Sequence, residues 1–161
     1  MHNDDLCRDY LRRAHARLQA LGVLSDLQSW ADVVRESQEV VELSLKALVR
    51  WGRIEVPRVH DVSPVLDQNR DRFPAGVRAR LDELIRISRS LRRDRELAFY
   101  GSEDLTPSLF YTEADAAEAA AQARTVVACV AAAMGPDPGQ QTNGGMGQSA
   151  AGDSSFSSGS P

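Results

Sequence analysis

Between Gly22 and Gly52 the apolar residues Leu27, Trp30, Val34, Val41, Leu45 and Leu48 return at steps of three, four and seven. Those steps put all six on one stripe of a helix with 3.6 residues per turn and on no single face of a strand. The segment is therefore expected to be a helix that buries that stripe. Ser25, followed three residues later by Gln28, has the spacing of a capping box that opens the helix, and Gly52 closes it. About 26 residues at ~1.5 Å each make a rod of roughly 39 Å, which suits the spine of a bundle.

The neighbouring segments repeat the same period. Cys7, Tyr10, Ala14, Leu18 and Leu21 give a first helix over residues 3–21 with Gly22 as its stop. After the loop "RIEVPRVHDV", Ser63 as N-cap and Pro64 at the first helical position start a short helix to about Arg72, which Pro74 and Gly76 end. Val77, Leu81, Leu84, Ser88 and Leu91 share one face of a further helix, and the same steps bring Arg95 and Ala98 onto it. Residues 101–111 form a loop containing Pro107. Thr112 with Asp115 then caps a last helix whose stripe of Ala116, Ala119, Ala123, Val126 and Val130 is small enough for close approach. No strand and no repeat are expected. The expected fold is all-α, an antiparallel up-and-down bundle of four long helices plus one short helix.

Composition bounds the rest. A chain of 161 residues, 42% hydrophobic, has material for one core and one domain, placed at residues 3–134. Residues 135–161 are rich in Gly, Ser, Pro and Gln and nearly free of charge, so they bury too little surface to order and are read as a disordered tail. A net charge of −4 argues against binding duplex DNA through overall positive charge, and leaves room for a local basic patch. Lys46 is the single lysine, every other basic side chain being arginine, a bias that weakens any argument from arginine abundance alone. Cys7 and Cys129 are too few and too far apart in sequence for a metal site and sit on apolar stripes, as expected of reduced thiols in a cytoplasm. No segment has the apolar length of a membrane span, and the acidic, polar start does not resemble a secretory signal.

Common catalytic signatures are missing: there is no phosphate-binding glycine loop, no HExxH and no GxSxG. His2, His15 and His60 are scattered, so neither a metal nor another cofactor is expected. His60 reads as a loop-fixing residue, with Asp61 favouring the positive end of the helix that follows. Gln38, Glu42 and Lys46, spaced by four, read as a polar ladder on a solvated face. The densest charge lies in one helix, where the five arginines Arg86, Arg89, Arg92, Arg93 and Arg95 are partly balanced by Asp82, Glu83, Asp94 and Glu96. Arg86, Arg89, Arg92 and Arg93 are candidates to bind a phosphate or an acidic partner, and much of the run equally suits a solvated face.

Two stretches together carry a family resemblance. "SQEVVELSLKALVRWGRIEVPRVHDVSPVL" and the later "RRDRELAFYGSEDLTPSLFYTEADAAEAAAQARTVV" resemble, in content, order and spacing, the HEPN family of small prokaryotic helical proteins. The resemblance spans the whole ordered domain and implies a compact helical bundle that commonly forms a homodimer. Many members pair with a small nucleotidyltransferase. Others are metal-independent ribonucleases whose motif is an arginine, four to six intervening residues and a histidine.

In this chain Arg95 matches the arginine of that motif, and after four intervening residues Tyr100 stands where the family has its histidine. A tyrosine titrating near 10 is a poor base at neutral pH, and losing the imidazole removes on the order of 10² to 10⁴-fold from acid–base catalysis. Arg95 could instead lay its stem along the bundle, with Tyr100 plugging a helix end. The resemblance thus implies a cytoplasmic, dimeric binding component of a toxin–antitoxin-like module with a nucleotidyltransferase. An active endoribonuclease using Arg95 and Tyr100 at a dimer cleft is the alternative. Nucleotide binding in a groove of the bundle is a third reading, with no base-specific pocket apparent in the residues.

Overall fold

The computed structural model describes residues 3–56, 61–100 and 106–136, with the side chains of 94–100 outside that description. Four long helices, α1 (Asn3–Asp26), α2 (Trp30–Trp51), α5 (Leu81–Tyr100) and α7 (Glu113–Met134), form the bundle. Three short ones, α3 (Ser63–Gln68), α4 (Ala75–Arg78) and α6 (Pro107–Phe110), and a 3₁₀ turn at Arg70–Arg72 lie between them. The described residues contain no strand, so the all-α bundle expected from the sequence is the fold. His60 and Pro57 lie outside the described residues, as does the tail from residue 137 onward.

The helices alternate in direction. Asn3 Nδ2 donates to the Arg50 carbonyl at 2.8 Å and Arg17 pairs with Glu36, so α1 and α2 run antiparallel. Arg8 reaches the Pro136 carbonyl at 3.3 Å, which sets the start of α1 beside the end of α7. Arg80, just before α5, and Cys129 line one cavity while Leu91 and Ala119 line another, so α5 runs antiparallel to α7.

The helix ends differ from the sequence reading in instructive ways. Gly22 does not stop α1, which continues to Asp26. A helical glycine costs about 1 kcal/mol relative to alanine, a penalty that the packing of Leu21 and Leu24 against the core can offset. The stop comes at Gln28, held at φ 56°, where the Gln28 N–H bonds the Ser25 carbonyl (2.9 Å) and the Ser29 N–H bonds the Leu24 carbonyl (2.9 Å). That pair of bonds is a Schellman closure with glutamine where glycine is usual. Ser25 and Gln28 therefore end α1 and do not open α2, which starts at Trp30, and Leu27 is 71% exposed.

The second half of the chain has its own departures. Ser63 is the first residue of α3 and not its cap; the Asp61 carboxylate accepts its N–H at 2.9 Å. The expected continuous helix from Val77 is broken after Arg78, so Val77 belongs to α4 and α5 begins at Leu81. The expected loop before Thr112 holds the single turn α6, opened by Pro107. The capping box of α7 forms as expected: the Asp115 N–H donates to Thr112 Oγ1 (3.3 Å) and the Thr112 N–H to Asp115 Oδ2 (2.8 Å). Ala116, Ala119, Ala123, Val126 and Val130 are all buried.

The largest correction concerns α2. No residue of this helix is exposed, because α1, α5 and α7 all pack on it. The ladder expected on a solvated face is consequently inside: Gln38 is 4% and Glu42 7% exposed. Gln38 Nε2 donates to Glu42 Oε2 (3.1 Å) and Lys46 Nζ to Glu42 Oε1 (2.6 Å). The Glu42 carboxylate thereby meets a partner at i, i+4 spacing on either side, the arrangement that keeps a buried charge affordable, while Gln38 Oε1 is buried with no hydrogen-bond partner among the described residues.

Candidate functional site

The arginine-bearing helix α5 buries Leu81, Leu84, Ile87 and Leu91 against the bundle, which turns the residues between them outward. Arg86, Arg89 and Arg93 fall at i, i+3 and i+7, one stripe of the outer surface. They line one wall of a trench of about 530 Å³ whose other wall carries Asp67 and Arg70. Arg70 is fixed there by Asp67 (2.7 Å) and Asp82 (2.5 Å), whose hydrogen bonds push its pKa above the ordinary arginine value.

Arg92 parts from the other three candidates. Its Nη1 lies 3.0 Å from Asp61 Oδ2, on the approach to α3. Burial pushes the Asp61 carboxyl up, but the Ser63 N–H and hydroxyl and the charges of Arg92 and Arg89 outweigh it, holding the pKa below the usual carboxylate value. The four arginines named from the sequence are thus split: three face a trench, and one secures a loop end. Arg95 and Tyr100 both belong to α5, and their side chains lie outside the described residues. Five residues of helix separate their positions by about 140° around the axis and ~7.5 Å along it.

A second cavity, of about 430 Å³, opens between α5 and the α6–α7 corner and shares Ser90 and Arg93 with the trench. Phe110, Tyr111, Glu118 and Gln122 line it. The Phe110 and Tyr111 rings meet edge to face at 5.0 Å, and the buried Tyr111 holds the more exposed Phe110 in place. None of these four was singled out by the sequence reading. The local signal, Thr106-Pro107 before an aromatic pair, marks a helical turn without saying which helix the turn faces.

The thiols take no part in either cavity's polar chemistry. Burial raises the pKa of Cys7 and of Cys129, so both stay protonated and poorly nucleophilic. Among the described residues no group of His, Cys, Asp and Glu is placed to hold a metal ion, and no helix is long and apolar enough to cross a membrane.

Comparison with known proteins bears on this arrangement in one way. No curated protein and no solved structure matches the chain. A family model does: that of the HEPN domain, over residues 7–133, which takes in α2, α5, all but the last residue of α7, and every cavity-lining residue named above. The chain belongs to the HEPN domain family.

Proposed function

We propose that this protein is a dimeric binding component of a cytoplasmic toxin–antitoxin-like module whose partner is a small nucleotidyltransferase. The observation that carries this reading is the altered motif in a family member: Arg95 is kept and Tyr100 takes the place of the histidine. Without an imidazole such a site retains phosphate recognition by arginine and loses its neutral-pH base.

The partner reading is tested by co-expressing the protein with a small nucleotidyltransferase encoded beside it and purifying through a tag on one of the two. Co-elution at fixed stoichiometry is expected; separate elution of two folded proteins ends the proposal. In such a pair Tyr100 is a candidate acceptor, its hydroxyl oxygen attacking the α-phosphorus of ATP while pyrophosphate leaves and the phenolic proton passes to solvent. Intact mass after incubation with ATP and the partner reads one added AMP, absent from Tyr100→Phe.

The retained arginine and its spacing favour one second reading, a metal-independent endoribonuclease in which Arg95 and Tyr100 of two subunits line an RNA cleft. Cleavage of RNA by the purified protein in chelator, abolished by Arg95→Ala, distinguishes it from the first.

A further inference from the structure

We propose that the outer face of α1 is a self-contact separate from any cleft built on α5: two copies pair there antiparallel about a two-fold axis, through Ala16, Ala20, Val23 and Leu27. The inference goes beyond the partner reading and does not depend on it, since neither Arg95, Tyr100 nor any other part of α5 enters the contact.

The face is apolar where the outside of a bundle helix is ordinarily polar. α1 buries Cys7, Ala14 and Leu21 and rests on α2 and α7, so the side opposite those residues looks away from the core. Ala16, Ala20, Val23 and Leu27 return on that side at steps of four, three and four, within about 60° of arc, and all four are exposed. Leu27 keeps the helical step just past the end of α1, its N–H bonding the Val23 carbonyl at 3.1 Å. Of the four large apolar side chains exposed among the described residues, Val23 at 62% and Leu27 at 71% both lie on this stripe. Alternating steps of three and four are the seam by which one helix packs on another.

That the occupant is a second copy follows from the stripe's complementarity to itself. Its first half is small and its second half large. An antiparallel copy therefore lays Val23 against Ala20 and Leu27 against Ala16, each contact made twice, at an interaxial distance of about 8 to 10 Å. A parallel copy would set large on large and alanine on alanine. The polar flank has the same symmetry. Gln19 and Asp26 lie within about 20° of each other on one side of the stripe, both exposed and neither bonded to another described residue. A two-fold axis crossing the helices keeps that flank against itself and reverses its direction, so the Gln19 amide of each copy comes opposite Asp26 of the other and donates to its carboxylate. Three turns of one helix make a contact below about 1,200 Å² in total, the low end of specific interfaces, so the association should be reversible and rise with concentration.

The test is sedimentation velocity of the purified full-length chain, without partner or RNA, over a range of concentrations. Whatever unit the chain forms elsewhere on its surface is expected to double in mass as concentration rises. Val23→Glu with Leu27→Glu, both at exposed positions, should weaken that step by at least about a hundredfold. Gln19→Glu should weaken it and Gln19→Lys tighten it, each by about two- to fivefold, and the same changes at Ala117, exposed on α7, should shift it less. Ala20→Cys should be joined into a covalent dimer by a short bismaleimide, and Ala117→Cys should not. A monomer at every concentration overturns the contact and the dimer reading together. A dimer of fixed mass, untouched by the double glutamate change, overturns the contact and leaves the dimer reading standing. Cross-linking at Ala117 in place of Ala20, or Gln19 variants that move in one direction, would also overturn it. Because the chain is measured alone, the pairing with a nucleotidyltransferase keeps its own co-elution test.

Discussion

Arg92 Nη1 sits 3.0 Å from Asp61 Oδ2, and the other oxygen of the same carboxylate accepts the Ser63 N–H at 2.9 Å. One side chain thus caps α3 and ties it to α5, the helix to which Arg95 and Tyr100 belong. Asp61→Ala should cost about 1 to 2 kcal/mol, a cap plus a partly exposed ion pair. The folded carboxyl titrates below its ordinary value of 3.8, so its contribution is complete well above that pH and is lost as pH falls through the folded pKa. Urea denaturation at pH 7 and pH 3 checks this: the gap between wild type and variant should narrow at pH 3, and a gap that widens contradicts the assignment.

Gln28 holds the closure of α1 at φ 56° with its side chain in solvent. Glycine adopts that conformation without a Cβ penalty, so Gln28→Gly should stabilise the fold by about 0.5 to 1 kcal/mol. A β-branched residue there should do the reverse. Midpoints of thermal unfolding for Gln28→Gly and Gln28→Val should move in opposite directions, and a shared direction would show that the turn is not under backbone control.

Glu42 receives Gln38 and Lys46 inside the bundle. Glu42→Ala leaves a lysine ammonium and a buried amide without that acceptor, at a cost of about 2 to 3 kcal/mol, the lower side of values for buried pairs because Lys46 is 22% exposed. Glu42→Gln, which keeps an acceptor but no charge, should lose less. The readout is the free energy of unfolding in urea; a loss under 0.5 kcal/mol, the scale of ordinary surface changes, would put the ladder on a solvated face after all.

On the proposed reading of Arg95 and Tyr100 as an altered ribonuclease motif, Tyr100→His puts an imidazole at the end of α5. If the partner reading is right, the wild type is silent toward RNA in chelator and Tyr100→His gains cleavage, within the roughly 10² to 10⁴-fold that an acid–base group supplies. Wild-type cleavage that Arg95→Ala abolishes would instead put the endoribonuclease reading first.

What the residues determined unaided were the features that depend only on near neighbours in the chain. The Thr112–Asp115 box and the buried Ala/Val face of α7 form as expected, because a cap and a stripe are settled within three or four residues. The same holds for the helical class of the whole domain and for its family. Tertiary structure decided what the long helices face. Gln38 and Glu42 carry a surface-like pattern and yet are buried, since three helices close around α2. Gly22 stays helical because Leu21 and Leu24 pack on either side of it, and α1 ends only where the backbone turns at Gln28. Arg92 and Arg93 are adjacent in sequence and about 100° apart around α5, so one secures Asp61 and the other joins two cavities. Burial and partnership belong to the elements packed around a residue, and those are brought together by segments distant in the chain.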